Sequence, residues 1–261
     1  MDLQLAGKIG LVTGASKGIG LEVVRVLQKE GVTVVTASRT VTPELAATGA
    51  VTLTGDLSGP DVPARIVAEA LGVSGTLDIL VNNVGGGDGT PVGAGFLDFT
   101  DGLWASTFEL NVFAAVRATR AALPALLSSH GAVVNVSSDS ARRPHTAPLP
   151  YGAAKAALNA VTKGLSEEFG PQGVRFNTVS PSSTRTALWE GEQSFGADLA
   201  STMNVTQQQL IETLPVQAGM LTGRFIEPRE VATAIAYLVS PLASSVHGAN
   251  WIVDAGVDKS S

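Results

Sequence analysis

The chain has 261 residues, 44% hydrophobic and 15% charged, enough for a sizeable core in one large α/β domain or two small ones. A net charge of -6 without any Lys/Arg-rich block argues against general nucleic-acid binding, which needs clustered cations to neutralise phosphates. Without cysteine there are no disulfides, thiolate metal sites or thiol nucleophiles, and three scattered histidines (His130, His145, His247) lack metal-ligand spacing.

Met1 to Lys8 runs straight into an apolar segment with no signal-peptide pattern. No uninterrupted apolar stretch reaches ~18 residues, so we expect no membrane span and a cytoplasmic protein. Ile9-Gly10-Leu11-Val12 reads as a strand, and Thr13-Gly14-Ala15-Ser16-Lys17-Gly18-Ile19-Gly20 as a glycine-rich turn. Leu21, Val23, Val24, Val26 and Leu27 then recur with helical spacing up to Gly31. Further strands are expected at Val32–Ala37, Val51–Thr54, Leu77–Val81, Ala132–Val136, Val174–Val179 and Asn250–Val253. Helices are expected at Ala64–Leu71, from about Thr100 to Leu127, from Tyr151 to about Phe169, and at Glu230–Val239. Alternating strands and helices imply right-handed crossovers and a parallel sheet of about seven strands with helices on both faces. With no linker or repeat, the expectation is one α/β domain of the doubly wound, Rossmann type over residues 1–261. Ser182 to Arg224 is long and mixed in pattern, which marks a lid or functional loop, placed at about 187–220.

The turn Gly14-x-x-x-Gly18-x-Gly20, between a strand and a helix, is a phosphate-binding signature. Glycines let backbone approach a pyrophosphate, and the helix N-terminus presents free N–H groups to it. The second strand ends in Ala37-Ser38-Arg39-Thr40, without the Asp or Glu that takes a ribose 2′-hydroxyl. Arg39 can pair with a 2′-phosphate, Ser38 can add a hydrogen bond, and Lys17 supplies a second cation, so NADP(H) is expected over NAD(H).

Tyr151 and Lys155 stand four apart at the head of an apolar helix, so the phenol and the ammonium share a face. With Thr13-Gly14-x-x-x-Gly18-Ile19-Gly20, Asp56-Leu57, Asn82-Asn83-Val84-Gly85, Asn111, Ser137-Ser138 and Tyr151-x-x-x-Lys155 in that order, the chain resembles the short-chain dehydrogenase/reductase family along nearly its whole length. It departs from that pattern at Ser182 and Ala255, where the family usually has glycine, and at Arg142-Arg143-Pro144. A side chain at Ser182 is expected to alter loop shape while activity is retained.

The resemblance implies a catalytic set of Asn111, Ser138, Tyr151 and Lys155. In it Tyr151 is the general acid in ketone reduction and the base in alcohol oxidation, and Lys155 lowers its pKa and holds the nicotinamide ribose. Ser138 hydrogen-bonds the substrate oxygen, and Asn111 interrupts its helix and holds a relay water. It also implies cofactor contacts from Gly14, Ser16, Lys17, Gly18, Ile19, Gly20, Ser38, Arg39, Asp56, Leu57, Asn83, Gly85, Pro181, Thr184 and Thr186, besides Tyr151 and Lys155.

The substrate is expected between the Asp88–Phe96 loop, the Ser140–Leu149 segment and the lid, with Phe96, Ser138, His145, Leu149, Trp189 and Phe195 around it. Those walls fit a small or medium carbonyl or alcohol compound with an apolar body. Reduction of 3-oxoacyl groups on an acidic carrier protein is an alternative, but Ala121 to His130 contains no Lys or Arg to dock it. A non-catalytic NADP(H)-sensing protein is a second alternative, against which Tyr151 and Lys155 both stand. The resemblance further implies a homotetramer or homodimer, with Ala114, Ala115, Ala118, Ala153, Ala154 and Ala157 allowing close helix approach.

Overall fold

A central sheet is built from short runs of Val, Ile and Leu that can be covered on both faces. The computed structural model describes residues 2–87, 90 and 93–259, so Asp88 of the expected substrate loop lies outside the described residues. The strands are β1 (Ile9–Thr13), β2 (Thr33–Ser38), β3 (Val51–Thr54), β4 (Ile79–Asn82), β5 (Ala132–Val136), β6 (Arg175–Pro181) and β7 (Asn250–Val253). Their order is β3-β2-β1-β4-β5-β6-β7, and every neighbouring pair is parallel. The direction of winding reverses between β1 and β4, which is where sheets of this kind open a crevice at their carboxyl ends.

Two apolar cores sandwich the sheet. One holds Leu21, Val24 and Leu27 of α1 (Gly18–Lys29) with residues of the helix Pro228–Val239, among them Val231 and Ile235. The other holds Ile66 and Ala70 of the helix α3 (Val62–Ser74) with Ala114, Ala118, Ala122 and Leu126. Between those two helices in the chain, α2 (Pro43–Ala46) is capped by Thr42, whose hydroxyl accepts from Leu45 N.

The long helix expected from Thr100 is continuous from Asp101 to Ser129 but not uniform. It runs as α4 (Asp101–Phe108), a π-turn over Glu109–Phe113 and α5 (Ala114–Ser129). By length and composition alone this span could cross a membrane, an 18-residue window in it reaching a mean hydropathy of 1.2. Glu109, Arg117 and Arg120 interrupt it, so no uninterrupted apolar stretch of ~18 residues occurs along it, as the sequence indicates. Its apolar residues Ala114, Ala118, Ala122 and Leu126 are nevertheless buried against the chain's own sheet, as in a core helix. The same burial corrects the expected helix-pairing surface. Ala114, Ala115, Ala118 and Ala154 are each at most 6% exposed and already packed inside the chain. Ala153 and Ala157 are half-buried.

After β5 comes α6 (Leu149–Phe169), which carries Tyr151 in its first turn. The expected lid is mostly helical: α7 (Ala187–Glu190), α8 (Phe195–Thr202) and α9 (Gln207–Gln217), followed by α10 (Pro228–Val239). Thr186, Ser194 and Thr206 cap the first three by accepting from Leu188, Ala197 and Gln209 N–H groups. Trp189 is 8% exposed and packs edge-on to Phe195, with ring centroids 5.5 Å apart, and against Phe225 at 4.9 Å. It is the lid's own core, so its bulk is spent holding these short helices together.

Candidate active site

The glycine turn is shaped by close packing of β1 against the end of β4. Gly14 and Gly18 take φ of +67° and +58°, where a side chain is strained. A Cβ on Gly20 would fall 2.4 Å from the Gly14 carbonyl oxygen. Asn83 straps the turn from the far side, its Nδ2 donating to the carbonyls of Thr13 and Gly14, both at 3.0 Å. The Thr13 hydroxyl in turn accepts from Asn83 N and Val84 N. Asn83 thus holds the turn itself, a role the expected ribose contact did not include.

At the start of α1, Lys17 is extended and no side chain caps the helix, and no acidic residue occupies the first turn. The free N–H groups there favour an anion. Lys17 and Arg39 are exposed, and neither makes an ion pair among the described residues. Arg39 helps hold the nearby Asp56 carboxyl below its ordinary range, after the larger effect of hydrogen bonds from Ser58. Ser38 is buried and donates to the Thr40 carbonyl at 2.7 Å, while Leu57 is buried behind it in the core. Ser16 contributes its carbonyl to Thr42, and Ile19 is half-buried on α1. Thr186 leans on Gly18, its Cγ2 3.1 Å from where a Cβ would stand, so the loop after β6 meets the turn. Pro181 ends β6, and Thr184 bonds to the Ser182 carbonyl. The donor set is that of a dinucleotide phosphate cradle with two cations beside it.

The second half of the site lies at the carboxyl ends of β4, β5 and β6. Asn111 sits in the π-turn, where its Nδ2 donates to the carbonyls of Gly86 (2.8 Å) and Thr107 (2.9 Å) and its Oδ1 accepts from Gly86 N (3.1 Å). A Cβ on Gly85 would lie 2.7 Å from Asn111 Oδ1 and 2.9 Å from Lys155 Nζ. Gly85, Asn111 and Lys155 therefore meet at one point, and only glycine fits there. Lys155 is 2% exposed and donates to the Val136 carbonyl at 2.8 Å. Burial pulls its ammonium down from 10.5 to about 8. Its Nζ stands 5.6 Å from the centre of the Tyr151 ring.

Burial pushes the Tyr151 phenol up to about 12; the Ser138 hydroxyl lowers it and the Asp139 charge raises it further. This runs against the expectation that Lys155 sets the phenol below its ordinary value. The ammonium donates to a backbone carbonyl, and desolvation of the phenolate is the largest cause of the rise. Ser138 caps the turn after β5, accepting from Ser140 N (3.2 Å) and Ser140 Oγ (2.9 Å). Ser137 is directed elsewhere, to the Lys155 carbonyl.

Of the expected substrate walls, Phe96 is 66% exposed on the short turn Phe96–Asp98, and His145 is exposed on the turn Pro144–Thr146. Leu149 opens α6 and Phe195 opens α8, both partly exposed. Ser182 is not among the described non-glycine residues with positive φ, so its side chain costs the backbone no strain. Ala255 is among them, at +54°.

Two features of the site were given no role in the sequence reading. Behind the site Asn82 donates to Thr119 and Asn135, and Asn135 to Thr162, a buried polar row linking β4, β5 and α6. Asp139, only 9% exposed, is the other; an acidic residue directly after Ser138 at the end of an apolar strand was its signal.

The family model described as Enoyl-(Acyl carrier protein) reductase matches residues 14–258. The L-xylulose reductase of Bos taurus is 32% identical over 98% of this chain and 98% of its own. The L-sorbose reductase of Gluconobacter frateurii, solved with NADPH and L-sorbose, superposes with a TM-score of 0.89 at 27% identity, covering 100% of both chains. A substituted actinorhodin polyketide ketoreductase, solved with NADPH, gives 0.85 at 30% identity, covering 97% of this chain and 98% of that one.

Proposed function

The chain belongs to the short-chain dehydrogenase/reductase family, and from that premise we propose that it is an NADP(H)-dependent ketone reductase acting on a carbonyl/alcohol pair. The observation that carries the reading is the convergence of Tyr151, Ser138, Lys155 and Asn111 at the strand ends beside the glycine turn. NADPH supplies the hydride for the carbonyl carbon, and its 2′-phosphate is matched by Arg39 and Lys17.

Tyr151 delivers a proton to the carbonyl oxygen. With its phenol raised to about 12, it stays protonated at neutral pH, the state a reductase needs. Ser138 interacts with the phenol and lowers its pKa; together the two hydroxyls flank the point where negative charge develops on oxygen. Lys155, with its ammonium drawn down to about 8, returns a proton towards Tyr151 with little cost. Asn111, clamped at both ends to Gly86, keeps the loop after β4 in place over this path.

Phe96, His145, Leu149 and Phe195 are the substrate's walls, with Trp189 supporting them from within the lid, and the substrate is a free ketone with an apolar body. A carrier-bound acyl substrate is the second reading, favoured by the description of the matching family. Against it, the end of α5 from Ala121 to His130 offers an acidic carrier no Lys or Arg. Assembly into a homotetramer or homodimer belongs to the same proposal. The test is NADPH oxidation, followed at the nicotinamide absorbance, with free ketones in one arm and carrier-linked 3-oxoacyl groups in the other. Turnover of free ketones supports the reading; turnover of carrier-linked groups alone overturns it.

A further inference from the structure

Asp139 and Ser182 lie near the proton-transfer site, and the reading above gives neither a task. Asp139 lies in the turn after β5, with its side chain 90% shielded from solvent. Ser138 Oγ stands 3.3 Å from its Oδ1, and Ser140 fixes Ser138 from the other side. Arg143, four residues on, reaches Oδ2 at 3.5 Å. Ser182, from the loop after β6, acts on the same carboxyl as a hydrogen-bond donor. A buried carboxylate with three polar neighbours, one of them the Ser138 hydroxyl, is costly to keep unless it has a role.

We propose that Asp139 is a positioning residue that aims the Ser138 hydroxyl and, through Ser182, ties that aim to the loop after β6. The inference rests on Tyr151 and Ser138 acting on the substrate oxygen. Left to itself, a carboxylate next to Ser138 holds the serine proton and keeps it from the substrate. Arg143 and Ser182 share that charge, so the serine proton can turn outward when a carbonyl arrives. Ser182 is thereby more than a tolerated replacement for the usual glycine: it brings the loop after β6 into the arrangement of the acid. The titratable groups that act on the carboxyl are Arg143 on its own turn and the neutral Tyr151 phenol on α6. Arg142 pairs instead with Asp258 of the C-terminal segment, at 3.4 Å. Burial raises the Asp139 carboxyl above its ordinary range, against the lowering by Ser182, Arg143, Ser138 and Ser140. Its charge in turn raises the phenol.

The test is the pH profile of kcat/KM for alcohol oxidation with NADP⁺, which reports ionisation of the base. Asp139→Asn removes a like charge from beside Tyr151 and is expected to move the ascending, acid-side limb down by about one pH unit, with a several-fold loss in kcat. Ser182→Ala keeps the charge and removes its donor; a several-fold drop in kcat is expected with cofactor Kd unchanged. The double variant is expected to be no worse than Asp139→Asn alone, because the two act as one unit. Tyr151→Phe is run beside them. If it retains turnover, the tyrosine reading fails. If it is inactive while Asp139→Asn and Ser182→Ala keep the parent's profile and kcat, or combine additively, the positioning role is overturned. Ser182→Ala alone decides the matter should the Asn variant not fold.

Discussion

Replacing Lys155 by Met makes the protein inactive and, at neutral pH, more stable. The ammonium is 2% exposed, and burial takes its pKa from 10.5 to about 8. At about 1.4 kcal/mol for each tenfold change in proton affinity, this is roughly 3 kcal/mol of destabilisation wherever the lysine is charged in both folded and unfolded states. That condition holds below pH 8. Met fills similar volume without the charge, but it orphans the Val136 carbonyl that Lys155 donates to, at a cost of about 1–2 kcal/mol. The balance is a gain of about 1–2 kcal/mol at pH 7, or roughly 2–6 °C in Tm for a domain of this size. As pH rises from 8 to 10.5 the folded parent sheds its proton before the unfolded chain does, so the parent gains stability and the advantage of the variant disappears. Above 10.5 only the lost hydrogen bond remains, and the variant is the weaker. Thermal unfolding of both proteins at pH 7 and pH 10.5 reads this crossing. A Met variant that is less stable at pH 7 by as much as at pH 10.5 refutes the claim that burial of a charge is being tolerated for catalysis.

Ala255 holds φ at +54°, so Ala255→Gly is expected to stabilise the fold by about 1 kcal/mol, measured by urea denaturation. Arg39→Asp is expected to weaken NADPH tenfold to a hundredfold while leaving NADH nearly untouched, read by fluorescence titration; equal losses would remove Arg39 from the phosphate site. Asn111→Ala breaks the clamp on Gly86 and is expected to lower kcat at least tenfold and cost about 1–3 kcal/mol of stability; a variant with parental kcat would make the π-turn a structural feature alone.

Patterns carried by local spacing were legible in the sequence. The apolar runs before Gly14 and around Val134 become β1 and β5, and the glycine turn becomes the link from β1 to α1. Tyr151 and Lys155 share a helix face because their separation of four dictates it. The lid was less legible, since α7, α8 and α9 are short and polar and their apolar residues serve one another. Trp189 read as a pocket wall because an aromatic on a polar background gives no hint of Phe195 and Phe225 beside it. The capping residues Thr186, Ser194 and Thr206 were the available signal. The alanines of α5 have a similar history: small residues allow close approach to anything, and here the near partner is the chain's own core. The Tyr151 phenol depends on a sum that no spacing reveals, burial and the Asp139 charge against the Ser138 hydroxyl, while Lys155 turns towards Val136.

The central claim is that Tyr151 gives the proton. Its most direct test is Tyr151→Phe, assayed for NADPH oxidation with a ketone that the parent reduces and titrated with NADPH in parallel. The account predicts turnover lost by at least about a thousandfold with cofactor Kd unchanged, since only the phenol oxygen is removed. Reduction at the parent's rate would contradict it.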